Sequence, residues 1–266
     1  MDCSTVCPVI IEGSQTLFRG LCNLTSYFFL NHNLAGVNRA VDLCAAPGSW
    51  SQVLARGLKG KPRLQPDQNE KGNPPKIVAV DIQTMAPIDG VTMIQGDITS
   101  FETAKKVISH FEGDKAQLVV CDGAPDVTGQ HDLDEFMQCQ LLLAALNITS
   151  FIIEEGGTFV AKIFRGKDIS LKIEQFGLFF EQVQVIKPKS SRISSIESFL
   201  VCRNFHLSPG YKPQMFDILT DFSKTEYSDQ LGDSTTEQPN IATYITPFLM
   251  CGDLNQLRIN TTPGEE

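Results

Sequence analysis

Carboxylate side chains stand where successive predicted strands end. Asp81, Asp97 and Asp122 each close a short apolar run or follow it within two residues. The carboxyl ends of parallel strands meet at one edge of a sheet, where open α/β sheets bind their ligands. Taken singly, an aspartate at a strand end is more often a cap or turn residue. Its recurrence at successive strand ends predicts a nucleoside-sized pocket rimmed by carboxylates, with Asp81 placed to accept hydrogen bonds from ribose hydroxyls.

The loop after the first predicted strand favours one class of nucleoside cofactor. It reads Cys-Ala-Ala-Pro-Gly over 44–48, and these small residues let a ligand approach the backbone before a helix that begins near Ser49. It lacks G-x-G-x-x-G, which disfavours a dinucleotide, and the chain has no P-loop motif, which excludes a nucleotide triphosphatase. A pocket rich in aspartate and poor in lysine and arginine repels phosphates but suits a cationic sulfonium. We therefore predict S-adenosylmethionine as the cofactor.

The elements that must position these residues alternate along the chain. Short apolar or β-branched runs predict strands at 39–44, 76–82, 91–95, 117–121, 157–164, 182–187 and 198–201. A long apolar helix is predicted over 134–153, and Thr99 with Glu102 predicts a capping box ahead of a shorter helix. This alternation predicts an α/β fold with a mostly parallel seven-stranded sheet and helices on both faces. The last two strands are close in sequence, which predicts an antiparallel hairpin at one edge.

Composition narrows the class of protein. The chain has 266 residues, of which 42% are hydrophobic and 20% charged, as expected for one globular domain with an appendage. Its strongest apolar runs, such as 141–146, fall short of the about 20 residues that span a bilayer, and no signal peptide is expected. The eight cysteines form no C-x-x-C pair, so we expect reduced thiols in an intracellular protein and no metal site. Secreted, disulfide-bonded and membrane-spanning classes are excluded.

Charge is unevenly distributed along the chain. The net charge is −9, yet residues 162–203 hold eight basic and four acidic side chains, whereas 204–266 hold three basic and nine acidic ones. An acidic protein can still present one basic working face, because salt screens each patch beyond about 10 Å. A solvated charged surface explains the same count equally well.

Six motifs carry a resemblance that covers residues 38–206 densely. They are LCAAPGSWSQVL, AVDIQTMAP, QGDIT, VVCDGAPDVTG, FVAKIFRG and SSRISSIESF, in that order. In order and spacing they resemble the FtsJ-like RNA 2′-O-ribose methyltransferases. The CDGAPDVTG wording and the later ITPFLMCGDL look most like the eukaryotic cytoplasmic branch that methylates the tRNA anticodon loop. The resemblance implies a Rossmann-like methyltransferase fold over 39–206, preceded by an atypical segment at 1–38. Four prolines and the absence of apolar periodicity predict a surface insertion at 59–75, and composition predicts an acidic extension at 207–266.

The resemblance also implies roles for individual residues. Those expected to contact S-adenosylmethionine are Gly48, Trp50, Asp81, Asp97 and Asp122. Asp122, Lys162 and Glu197 match three members of the family's Lys–Asp–Lys–Glu catalytic group. The implied partners are a tRNA substrate and an auxiliary protein subunit that presents it, with no membrane, and the implied location is the cytoplasm.

One member of the catalytic group has no counterpart. A ribose 2′-hydroxyl is a weak nucleophile, so a base must take its proton during attack on the sulfonium methyl. Lys162 can do so only when neutral, a form that desolvation and a neighbouring cation favour and that Asp122 and Glu197 oppose. The family's first lysine would supply that cation, but family spacing places Asn23 there, and Arg19 is the only basic residue in 1–38. The alternative to an enzyme is therefore an impaired paralogue or isoform that binds the cofactor or a partner.

Overall fold

The computed structural model describes residues 36–59, 75–124, 131–166, 169–187, 195–208 and 213. Within these ranges lie seven strands and four helices. The strands are β1 (Arg39–Leu43), β2 (Lys76–Asp81), β3 (Thr92–Gln95), β4 (Ala116–Cys121), β5 (Ile153–Phe164), β6 (Phe180–Ile186) and β7 (Glu197–Phe205). The helices are α1 (Ser49–Lys59), α2 (Phe101–His110), α3 (His131–Ile152) and α4 (Ile169–Phe176). Residues 60–74 of the predicted insertion, the segment 1–35 and nearly all of 207–266 lie outside the described residues.

The strands form one sheet in the order β3-β2-β1-β4-β5-β7-β6. Pairing is parallel from β3 to β5, whereas β7 runs antiparallel to both β5 and β6. The predicted α/β class, the seven strands and the antiparallel pair are confirmed. The hairpin differs in one respect, because β7 inserts between β5 and β6 and leaves β6 at the edge. Since β7 runs in the opposite direction, its first residue lies at the edge where β5 ends.

Each face of the sheet packs on its own hydrophobic cluster. We call the side covered by α1 the α1 face; there the strands contribute Leu118, Val120, Val160, Phe199 and Val201. We call the opposite side the α3 face, where α2, α3 and α4 pack on the alternate residues of the same strands. Strand residues two apart share a face. The polar residue that follows Val120 or Val160 by two positions therefore extends the α1 face beyond its apolar part.

Helix α3 is the central element of the α3 face. It satisfies the length and composition of a membrane-crossing helix over Asp134–Ile152, but 67% of that stretch is buried inside the protein. Such burial is typical of a core helix. At its end the chain passes directly into β5, where Gly156 has a φ of +79° and the β4–β5 register shifts between Ala116 and Leu118.

The prediction of a capping box at Thr99 is wrong. Helix α2 begins at Phe101 with Ser100 as its N-cap, and no side chain bonds to the cap. Thr99 instead donates its backbone N–H and its hydroxyl to the Asp97 carboxylate, at 2.8 and 2.7 Å. The Asp97 side chain thus forms an Asx turn with Thr99, and the Thr99 hydroxyl is used in this turn instead of in a helix cap. Ala104 and Val107 of this helix are buried, whereas Phe101 is 44% exposed.

Candidate active site

The sheet brings three sequence-predicted catalytic residues to one edge of the α1 face. Asp122 follows β4 two residues after Val120, and Lys162 lies in β5 two residues after Val160. In the antiparallel ladder Lys162 lies opposite Phe199 and Phe164 opposite Glu197, so Lys162 and Glu197 are diagonal neighbours on the same face. All three groups therefore lie beyond the buried apolar residues of the α1 face, at the carboxyl edge of the parallel strands.

Lys162 and Asp122 form an ion pair, with 2.9 Å between Nζ and Oδ1. The Lys162 side chain is 15% exposed and that of Asp122 is 31% exposed. Desolvation raises the pKa of Asp122, an effect that the Lys162 ammonium opposes and the charge of Glu197 increases. Asp122 is thus held between one cation and one anion, in a position to orient the lysine amine and to respond to its charge.

Backbone contacts fix the start of β7 beside this pair. The Arg165 N–H donates to the Ile196 carbonyl at 2.7 Å, and the Glu197 N–H donates to the Ser195 hydroxyl at 3.2 Å. Lys187, one of the basic residues of 162–203, donates its Nζ to the Ser195 carbonyl at 2.5 Å. Of the basic residues near it in sequence, Arg203 lies in β7, and Lys189 and Arg192 lie outside the described ranges.

The strand-end aspartates predicted to bind the cofactor hold neighbouring loops in place. Asp81 is 7% exposed, and its carboxylate accepts the N–H groups of Ala46 and Gln83, each at 2.8 Å. Asp97 accepts the two hydrogen bonds from Thr99. Each therefore has the turn-forming role that a single strand-end aspartate most often has, and each stands at the predicted edge. Their contact with a cofactor stays a prediction.

Gly48 is required by the geometry of the β1–α1 loop. Its φ is +106°, a region that residues with a side chain rarely adopt. A Cβ at this position would lie 2.6 Å from Cδ1 of Ile88. The Gly48 carbonyl accepts the Gln52 N–H at 3.0 Å and so joins the loop to the first turn of α1. The bare backbone at this point is what the sequence predicts for close approach of a ligand.

Trp50 lies deeper than the predicted cofactor contact suggests. It is 1% exposed and packs against Phe199, with 5.6 Å between ring centroids. Its indole nitrogen is buried and has no hydrogen-bond partner among the described residues. The ring thus packs against the residue that lies opposite Lys162 and two positions after Glu197. Its contact with the cofactor stays a prediction.

Asp42 is a buried carboxylate that the sequence reasoning did not single out. It is fully buried on the α1 face of β1, and its Oδ2 accepts the Ser51 hydroxyl at 2.5 Å. Burial raises the pKa of Asp42 to about 7; the Ser51 hydrogen bond opposes this shift, and the charges of Asp122 and Asp81 increase it. A carboxylate inside an otherwise apolar strand is the sequence feature that marks it. Asp42 is thus bonded to Ser51 of α1, and its charge interacts with those of Asp122 and Asp81.

Two thiols meet at the inner end of the loop. Cys44 has a φ of +55°, and its Sγ would lie 3.1 Å from a Cβ at Gly123. A hydrogen bond with Cys121, followed by burial, raises the pKa of Cys44 well above its ordinary range. Cys44 is therefore an unreactive packing group at neutral pH.

The donor set of the site is acidic. Asp42, Asp81, Asp97 and Asp122 surround it, and Lys162 is the cation that one of them holds. Within the described ranges, no three histidine, cysteine or acidic side chains gather in a metal-binding arrangement. The described cysteines, Cys44, Cys121, Cys139 and Cys202, form no disulfide. The arrangement suits a ligand with a positive charge better than a phosphate.

The chain is similar to known methyltransferases. A family model described as FtsJ-like methyltransferase matches residues 21–205, a range that starts upstream of residue 38, where the sequence analysis begins the dense resemblance. A mouse protein named tRNA (cytidine(32)/guanosine(34)-2′-O)-methyltransferase is 52% identical over 220 residues, covering 83% of this chain and 62% of its own length. The human protein of the same name is also 52% identical, and this chain covers 61% of it. The chain thus spans about three fifths of both relatives.

A solved structure agrees with the fold. The crystal structure of a Plasmodium falciparum protein described as a ribosomal RNA methyltransferase has a TM-score of 0.58 and 25% identity, covering 72% of this chain and 97% of its own. The family match extends across the strands that carry Asp122, Lys162 and Glu197. From its motifs, its sheet order and this match, the chain belongs to the FtsJ-like methyltransferase family.

Proposed function

We propose that this chain transfers a methyl group from S-adenosylmethionine to the ribose 2′-hydroxyl of RNA, at positions 32 and 34 of the tRNA anticodon loop. The observation that carries this proposal is the Lys162–Asp122 ion pair at the carboxyl edge of the sheet, with Glu197 on the same face. The names of the mouse and human relatives support the substrate.

The residues present fit the proposed cofactor. Gly48 adds no side chain to the β1–α1 loop, and the group that lies against its backbone is the end of the Ile88 side chain. Buried polar atoms without a partner among the described residues, Oδ1 of Asp42 and Nε1 of Trp50, lie in the first two elements that border the pocket. Surrounding carboxylates favour a positive charge. When bound, S-adenosylmethionine supplies an electrophilic methyl group on a sulfonium.

Lys162 is the proposed base. Its Nζ is positioned by Asp122 at 2.9 Å and stands on a strand otherwise packed with buried side chains. In its neutral form it accepts the proton of the 2′-hydroxyl as the oxygen attacks in line. Glu197 and Asp122 orient the amine and balance its charge after it takes the proton. A buried lysine at this position needs such compensation, because desolvation alone disfavours an ammonium.

RNA binding and presentation complete the proposal. We propose that the basic stretch from Lys187 to Arg203 contacts RNA phosphates and that an auxiliary protein subunit presents the tRNA. The reaction takes place in the cytoplasm in this proposal. The competing hypothesis, a chain that binds the cofactor without transferring its methyl group, has one observation in its favour, which is Asn23 in place of a lysine.

A transfer assay separates the two hypotheses. The full chain is incubated with tRNA and methyl-labelled S-adenosylmethionine, and 2′-O-methylated nucleotides are quantified after digestion. We expect incorporation by the wild type and none by Lys162→Ala or by Lys162→Arg, since a guanidinium holds its proton at any accessible pH. Lys105→Ala, at an exposed lysine of α2, is the matched control and should keep wild-type activity. The assay includes an extract of eukaryotic cells that lack their own anticodon-loop methyltransferase, because the extract supplies the auxiliary subunit. Cofactor binding without incorporation by the wild type would then establish the competing hypothesis.

A further inference from the structure

A glutamine on the opposite face of the sheet contacts the backbone of both ion-pair strands. Gln138 lies in α3 and is 2% exposed. Its Nε2 donates to the Lys162 carbonyl at 2.7 Å and to the Gly123 carbonyl at 3.2 Å. Its Oε1 has no hydrogen-bond partner among the described residues, so the bonding of this side chain depends on its NH₂ group.

Both carbonyls lie just beyond the last paired residues of β4 and β5. The last parallel pair between these strands is Cys121 with Ala161, one residue before Asp122 and Lys162. Beyond the end of a ladder, buried carbonyl groups depend on another donor, because leaving them unpaired is costly. One amide group with two hydrogens meets this need for both strands. It thereby fixes the distance between the backbones that carry the two ion-pair partners.

Helix α3 is itself anchored at this end. Glu135, one turn before Gln138, accepts Nζ of Lys172 in α4 at 3.3 Å, and Lys172 is 1% exposed. The Glu135 carboxylate also packs directly against Gly166, two residues after β5, where a Cβ would collide with it. The amide of Gln138 therefore extends from a helix that contacts both α4 and the residues that follow β5.

We propose that Gln138 is a positioning residue for methyl transfer, acting through the backbone of Gly123 and Lys162. The inference depends on the proposed function, because the reaction is what it serves. Gln138 contributes its bonds from the α3 face, whereas Asp122 and Lys162 act on the α1 face. Its loss should therefore lower the transfer rate and leave cofactor affinity unchanged. A side chain with only a structural role would lower stability without this separation of rate from affinity.

The test compares two substitutions of the same kind on one helix. Gln138→Met keeps the side-chain length and removes the donor, and Gln140→Met makes the same change at a half-buried position that bonds to neither strand. Gln138→Asn keeps the amide but shortens its reach, and it serves if the methionine variant does not fold. Each full-length variant is measured for S-adenosylmethionine affinity by calorimetry, for single-turnover transfer to tRNA, and for amide hydrogen exchange over 162–166.

We expect Gln138→Met to transfer the methyl group about 10²-fold more slowly than the wild type, as a small misplacement of reacting groups does. Cofactor affinity should match that of Gln140→Met, and exchange over 162–166 should be faster. Equal transfer rates in the two methionine variants would overturn the proposal, as would a parallel loss of affinity and rate. If the wild type methylates no RNA, the proposed function fails. In that case hydrogen exchange alone tests whether Gln138 holds the backbone of residues 162–166. Unchanged exchange in Gln138→Met would refute this role.

Discussion

Replacing Asp42 with asparagine should change how the stability of this protein depends on pH. The carboxyl is fully buried, one oxygen accepts the Ser51 hydroxyl, and the other has no partner among the described residues. Asparagine has the shape of a protonated aspartate and cannot ionise. The Asp42→Asn variant therefore keeps the packing and the bond to Ser51 while it removes one buried titration.

The size of the effect follows from the difference between the pKa of Asp42 in the folded chain and its pKa in the unfolded chain. The pKa of Asp42 is about 7 in the folded chain, against 3.8 for an ordinary aspartate. Between these values the unfolded chain releases the proton and the folded chain keeps it, so the free energy of unfolding falls by about 1.4 kcal/mol per pH unit. Above the folded pKa both states are ionised and the loss, about 4 kcal/mol in total, is complete. From about pH 5.5 to 8.5 the fall due to Asp42 is about 2 kcal/mol.

Urea unfolding at several pH values measures this directly. We expect the free energy of unfolding of the wild type, minus that of Asp42→Asn, to decrease by about 2 kcal/mol as the pH rises over that range. Ser51→Ala removes a bond that favours the ionised form and should move the decrease to higher pH. Parallel pH profiles for the wild type and Asp42→Asn would refute the assignment of a neutral buried carboxyl at this position.

Three other substitutions test separate parts of the site. Asp97→Ala should weaken S-adenosylmethionine binding by about 1–3 kcal/mol in calorimetry. Thr99→Val, which removes only a hydrogen bond within the loop, should leave that binding unchanged. Equal losses of affinity in the two variants would mean that Asp97 acts only as a turn residue. Gly48→Ala should lower stability in thermal unfolding by about 1–2 kcal/mol, because the Ile88 side chain can move aside but the backbone conformation stays strained; an unchanged melting temperature would contradict this. Asn23→Lys should raise the rate of transfer to tRNA and move its pH profile downward; no change would mean that a cation at residue 23 plays no part.

The sequence predicts the sheet well because its patterns are local. Each of the seven strands lies within a few residues of its predicted place, and Asp122, Lys162 and Glu197 meet at the predicted edge. These outcomes need only apolar runs, the direction of parallel strands and recognisable motifs. The family match and the fold agree with the resemblance, while the roles of the individual site residues stay predictions.

What the sequence does not predict depends on contacts across elements. The order of β6 and β7 is decided by which neighbour pairs with β5, and two adjacent runs do not specify it. Asp42 reads as one polar residue in a strand until Ser51 and Asp122 are placed around it. Gln138 is one of several polar residues on an apolar helix, and only its two carbonyl partners distinguish it. Thr99 is equally consistent with a cap and with a turn, and the nearby Asp97 selects the turn.

The insertion of β7 between β5 and β6 has a consequence for how the chain acquires its structure. The strand that separates β5 from β6 is the last of the seven to leave the ribosome, and its residues pair with β5 residues that lie 33 to 43 positions upstream. Until it arrives, β5 presents an open edge and β6 has no neighbour, which is the condition that promotes association between nascent chains. Completion of the sheet and arrival of Glu197 are therefore one event. A message truncated before residue 197 should therefore yield a product that both exposes the edge of β5 and lacks Glu197.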